Sequence, residues 1–219
     1  MCWNADISIN TFLFACFTLI FIYITNTYTK YKTPLFDNPI VYFLFLSIVS
    51  MQLIEFFLWR NLKNKDLNQS LSKMASFLFI LQPFFLILMI PILKIKYTML
   101  VLYLFFMAFY LIYKKIYNPI HFHTSVGKNG HLLWEFVNNK GYEMIFSFIY
   151  LLFYISSVLF VNNFLITLFL IPSFLLSLFF YFRDNTFGTM WCWGSNLFLL
   201  YFIVNILLIK PYYEYNGLC

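Results

Sequence analysis

The chain has 219 residues, of which 63% are hydrophobic and only 10% charged, and it carries a formal net charge of +6. A soluble domain holds roughly 45–50% apolar and about 25% charged residues, so too few polar groups remain here to cover a water-facing surface. The composition excludes a soluble globular fold and predicts an all-α polytopic bundle, a single integral membrane domain over 1–219 with lipid as the solvent of its outer face.

A membrane-crossing helix needs roughly 17–25 apolar residues. Seven stretches meet this, at about 10–27, 40–59, 73–93, 97–113, 143–161, 163–182 and 190–209. Ahead of the first, the chain reads Met1-Cys2-Trp3-Asn4-Ala5-Asp6. Asn4 or Asp6 is placed to cap the helix. Asp6 is the only charge there, so the basic leader of a cleavable signal is missing.

The second span contains Glu55, about one turn before Trp59 and Arg60. A carboxylate at membrane depth is costly, so it faces the bundle interior and takes a partner. At about 100° per residue, Gln52, Glu55 and Trp59 share one helix face. Gln82-Pro83 falls near the middle of the third span and Pro172 near the middle of the sixth. Each proline removes a backbone donor and predicts a kink.

Between the fourth and fifth spans lies the one substantial segment outside the membrane, and it holds all three histidines. Alternation on either side of Gly127-Lys128-Asn129-Gly130 predicts a short hairpin or loop near 119–137. The bland expectation is a loop lying on the headgroups. As a hairpin it would set His121 and His123 on one face. An even-length turn would send His131 and Glu135 to the other; a bulge, or a helix from about Asn129, would remove that objection. These four are the candidate metal ligands.

The seventh span opens with Gly188-Thr189-Met190-Trp191-Cys192-Trp193-Gly194-Ser195-Asn196. In a seven-span arrangement this cluster, the N-terminal Trp3 and Asp6, and the Glu55 end of the second span share one membrane side. A polar pocket is expected there, with Gln52, Glu55, Trp59, Arg60, Trp3, Asp6, Trp191, Cys192 and Asn196 as its ligand-binding residues. Cys2 and Cys192 are close enough in this arrangement to meet, and free thiols are the preferred reading.

Basic residues number nine on that side (Arg60, Lys63, Lys65, Lys73, Lys114, Lys115, Lys128, Lys140, Arg183) and five on the other (Lys30, Lys32, Lys94, Lys96, Lys210). The positive-inside rule then puts the N-terminus in the cytoplasm and pairs the basic side with anionic lipid, not with nucleic acid. No hydrolase, metalloprotease, nucleotide-binding or channel-filter motif is present, and no motif names a cofactor.

The Phe, Ile, Asn, Lys and Tyr-rich composition, the Met1-Cys2-Trp3-Asn4 start and Trp191-Cys192-Trp193 resemble multi-pass membrane proteins of unassigned activity in large DNA viruses and related eukaryotes. The resemblance implies a viral or host membrane location and no particular activity. Three functions follow from the residues. The first is a membrane protein that binds or moves a small molecule or ion. The second is a membrane-embedded enzyme acting on lipid, with Glu55, His121, His123 and Asp184 as acid–base or catalytic groups. The third is a structural or interaction protein of a viral or organellar membrane.

Overall fold

A computed structural model describes residues 4–117, 122–137, 143–194 and 196–217. Seven helical runs are long and apolar enough to cross a membrane. The first six are α1 (Ala5–Tyr28), α2 (Pro39–Arg60), α3 (Lys65–Leu88), α4 (Leu93–Tyr117), α5 (Glu143–Val161) and α6 (Phe164–Tyr181). The seventh, Phe187–Tyr215, comprises α7 (Phe187–Gly194), α8 (Asn196–Val204), a π-helical turn (Asn205–Ile209) and α9 (Lys210–Tyr215). The protein is a multi-pass integral membrane helix bundle, as the composition requires.

Local signals set the helix ends. Asn4 caps α1 by accepting from the Ile7 N–H at 3.0 Å. Asn38 and Asn163 cap α2 and α6 in the same way. The third helix starts at Lys65, ahead of the expected apolar onset at 73, because Asn64 accepts from the Leu67 N–H. The polar stretch after it is therefore helical. The seventh run continues past the expected 209. Pro211 cannot donate to the carbonyl one turn back, and the Lys210 N–H instead reaches Asn205 O, widening the turn to π geometry.

Pro83 lies inside α3. It leaves the carbonyl of Phe79, four residues earlier, without its helical donor. The Tyr150 hydroxyl of α5 donates to that carbonyl at 2.9 Å. The next carbonyl along, Ile80 O, accepts from the Tyr103 hydroxyl of α4 at 2.7 Å. Two neighbouring helices thus satisfy the polar backbone that the proline exposes within lipid.

The centre of the bundle is filled by bulky side chains. Phe45, Phe198, Phe202 and Trp191 are all essentially buried. Phe45 meets Phe198 at 5.2 Å between ring centroids, and Phe169 meets Phe198 at 4.7 Å. Outward-facing Phe17, Phe105 and Phe179 are exposed on the lateral surface, where lipid replaces water.

Between α4 and α5, strands β1 (Thr124–Val126) and β2 (Leu132–Trp134) form the predicted hairpin. Thr124 pairs with Trp134 and Val126 with Leu132. The turn has an odd number of residues, with Gly130 at φ 79° and Gly127 N–H donating to His131 O at 2.8 Å. Residues of like parity therefore face each other across the hairpin, which removes the objection raised by an even turn. Thr124, Leu132 and Trp134 point into the bundle and are buried. The hairpin thus plugs the end of the bundle. Asn68 of α3 holds it, donating to Thr124 O at 2.8 Å and accepting from the Thr124 N–H at 2.9 Å.

Candidate functional site

Glu55 sits on the inward face of α2, as its helical phase with Gln52 predicts. Gln52 is 1% and Glu55 5% exposed. The Gln52 amide lies beside the Glu55 carboxyl. Even so, Gln52 Nε2 and Glu55 Oε1 are buried without a hydrogen-bond partner among the described residues. Among the described residues no Lys, Arg or His forms an ion pair with Glu55. Arg60, one turn onward, is exposed and lies over the Phe56 ring at 5.7 Å.

Gln52, Glu55 and Trp59 open onto a cavity of about 20 Å³. Ser8 from α1, His131 from the hairpin turn, and Thr189 and Trp193 from α7 complete its polar and aromatic lining. That volume holds about one water-sized particle, since a water needs roughly 10–15 Å³ measured this way. Small-molecule sites span roughly 300–1,000 Å³, so this cavity is far smaller than a typical metabolite site.

The ends of α1, α2 and α7 do meet on one side of the bundle, but with partly different side chains from those expected. Asp6 is exposed and does not reach the cavity; Ser8 takes that place. Trp191 is turned into the core against Tyr154 and Phe174, at 4.8 and 5.4 Å between centroids, and Trp193 lines the pocket instead. Asn196 back-bonds to the carbonyls of Cys192 and Trp193. Trp3, Cys2 and His121 lie outside the described residues.

Behind the cavity the polarity continues inward. Cys192 is a buried free thiol, faced by the Gln82 side chain and with Glu55 in its electrostatic neighbourhood. Tyr154 is a further neighbour of Cys192. Among the described residues, neither Gln82 polar atom, nor the Tyr154 hydroxyl, has a hydrogen-bond partner. Buried polar groups are nearly always paired, so this row of side chains is unusual for a membrane core.

The hairpin brings His131 to the same cavity as Glu55. His131 is 6% exposed and packs edge-on against Tyr181 at 5.4 Å. Burial holds its imidazole below the ordinary histidine range, against the pull of the Asp184 carboxylate in the α6–α7 turn. His123 is placed elsewhere, its carbonyl accepting from the Glu135 N–H at 3.0 Å, and Glu135 is exposed. Among the described residues, no three His, Cys, Asp or Glu side chains converge to hold a metal ion. The expected grouping of His123, His131 and Glu135 does not form.

Ser8, Thr189 and Trp193 were missed as lining residues because serine, threonine and tryptophan are ordinary at helix ends. The helical phase of Trp193, two residues from Trp191 and thus on another face of α7, is the one signal that could have separated them. No protein-family model, curated protein or solved structure matches this chain.

Proposed function

We propose that this membrane protein binds a proton at Glu55 and relays it between one membrane face and the bilayer interior. The observation that carries the reading is the pairing of buried Glu55 with His131 on a cavity that holds about one water-sized particle. A lone carboxylate at this depth requires a proton or a cation to offset its charge. A water held in the cavity would face both residues, an arrangement suited to proton transfer through a single bridging molecule. Cys192, Gln82 and Tyr154 continue the polar row inward. The size of the cavity favours a proton over the small-molecule branch of the expectation.

The charge asymmetry supports an orientation with this face, and the N-terminus, in the cytoplasm. The basic residues around it then contact anionic headgroups. Cysteine accessibility at positions 63 and 94, probed with an impermeant reagent on intact cells, tests it; labelling at 63 but not 94 would reverse it.

The functional test is infrared difference spectroscopy of the purified protein in vesicles across a pH titration. Wild type should show a carboxylic-acid band that exchanges its proton with the medium. Glu55→Gln, near-isosteric and uncharged, should lack that band while keeping its thermal stability. Identical spectra from both proteins would leave Glu55 a purely structural residue.

A further inference from the structure

A second cavity, of about 800 Å³, lies in the same membrane half as Glu55 but on the other side of an aromatic wall. It is bounded by the middle of α3, the second half of α4, the first half of α5 and the end of α6. Its floor is the Phe79–Tyr150 stack, with centroids 4.5 Å apart. Phe136 closes the end nearest the hairpin, and Trp134 stands behind it at 5.4 Å. This stack divides the cavity from the Glu55 row, so the two sites are distinct.

The mouth is lateral. Phe148 of α5 and Phe179 of α6 line the cavity yet are 60% and 82% exposed, which marks an opening between these helices toward the hydrocarbon. At its rim stands Arg183, in the turn after α6. It is exposed, and among the described residues it pairs with no carboxylate. The result is an apolar chamber at acyl-chain depth with the Arg183 cation at headgroup level.

We propose that this cavity holds a membrane phospholipid from the leaflet on the Glu55 side, with one acyl chain between α5 and α6 and its phosphate on the Arg183 guanidinium. The walls supply dispersion and hydrophobic contact along the chain. Arginine supplies the planar donor fork suited to a phosphate. The volume fits the roughly 300–1,000 Å³ of ligand sites. A free anion would use the arginine but leave the apolar chamber unexplained. A neutral diacylglycerol would use the chamber but not the charge.

The test is native mass spectrometry of the full chain, detergent-purified and titrated with phosphatidylglycerol, phosphatidylcholine and diacylglycerol, alongside inorganic phosphate as competitor. Both phospholipids should bind with one-to-one stoichiometry, well ahead of diacylglycerol. Arg183→Ala should weaken phospholipid binding by roughly tenfold or more, the scale of one charge-assisted contact. Ser147→Phe, which intrudes into the chamber from α5, should weaken binding while Arg183 remains. Thermal melts confirm that both variants fold; if Ser147→Phe does not, Ser76→Leu fills the chamber from α3. Phospholipid retention unchanged in both Arg183→Ala and the filling variant would overturn the proposal, as would equal binding of diacylglycerol or full displacement by inorganic phosphate.

Discussion

Asn68 belongs to a stretch that reads as an extramembrane polar break, yet its side chain does what a neighbouring strand would do. It pairs with both the N–H and the carbonyl of Thr124 and is fully buried. Asn68→Ala would orphan two buried backbone groups at roughly 1–3 kcal/mol each, a loss of about 2–5 kcal/mol in detergent-based unfolding. Asn68→Asp keeps an acceptor for the Thr124 N–H but turns a carboxylate oxygen toward the Thr124 carbonyl, and should be at least as damaging. A melting temperature unchanged in Asn68→Ala would show that the hairpin is not held from α3. His131 gives a pH signature. Its folded-state proton affinity is depressed by burial, so the unfolded chain binds the proton more readily. Its contribution is complete above the ordinary value of about 6.5 and is lost as pH falls through the lower folded value. Wild-type melting temperature should decline below that pH, and His131→Gln should flatten the decline.

The contact between α3 and α5 illustrates how one element corrects another. Pro83 takes a donor from α3, and Tyr150 returns one from α5. Tyr150→Phe alone should cost about 0.5–2 kcal/mol, the range of interhelical hydrogen bonds in membranes. In a Pro83→Ala background, residue 83 regains an N–H for Phe79 O, so the same tyrosine substitution should cost clearly less. The double-mutant cycle isolates that interaction; equal costs in both backgrounds would mean that Tyr150 acts through packing alone. The hairpin and α7 depend on each other sterically. A Cβ at Gly188 would approach the Trp134 ring to 3.0 Å. Gly188→Ala should therefore destabilise by about 1–3 kcal/mol, as overpacking does, and Gly188→Ala combined with Trp134→Phe should recover part of it in the same unfolding measurement.

At the scale of the molecule, the two ends of the bundle are closed differently. On the Glu55 side, the hairpin fills the end with buried Thr124, Leu132 and Trp134. On the other side, α9 reaches the α1–α2 loop: Glu214 accepts from Lys30 and from the Tyr31 hydroxyl, and Lys210 donates to the Tyr31 and Lys32 carbonyls. Lys30 and Glu214 are exposed, so high salt screens the pair. The apolar plug, not the ionic latch, should dominate stability. Glu214→Gln is expected to leave the melting temperature almost unchanged in high salt, in contrast to Asn68→Ala at the opposite end.

Sequence alone determined the solvent, the helix count and the helix phases. Runs of apolar residues long enough for the hydrocarbon admit little besides helices, because each backbone group must be paired within its own segment. Glu55 stood out for the same reason: a charge in such a run is conspicuous, and its phase with Gln52 is fixed by the helical repeat. The hairpin was legible from Gly127-Lys128-Asn129-Gly130, but its register was not, since one residue in the turn decides which face each side chain takes. Only the tertiary structure decided that the hairpin inserts into the bundle and brings His131 to Glu55. It also decided that Trp193 and Ser8, not Trp191 and Asp6, line the cavity, and that α5 and α6 part to leave a chamber beside Arg183. Contacts between elements far apart in the chain depend on how bulky side chains interdigitate, and no local periodicity encodes that.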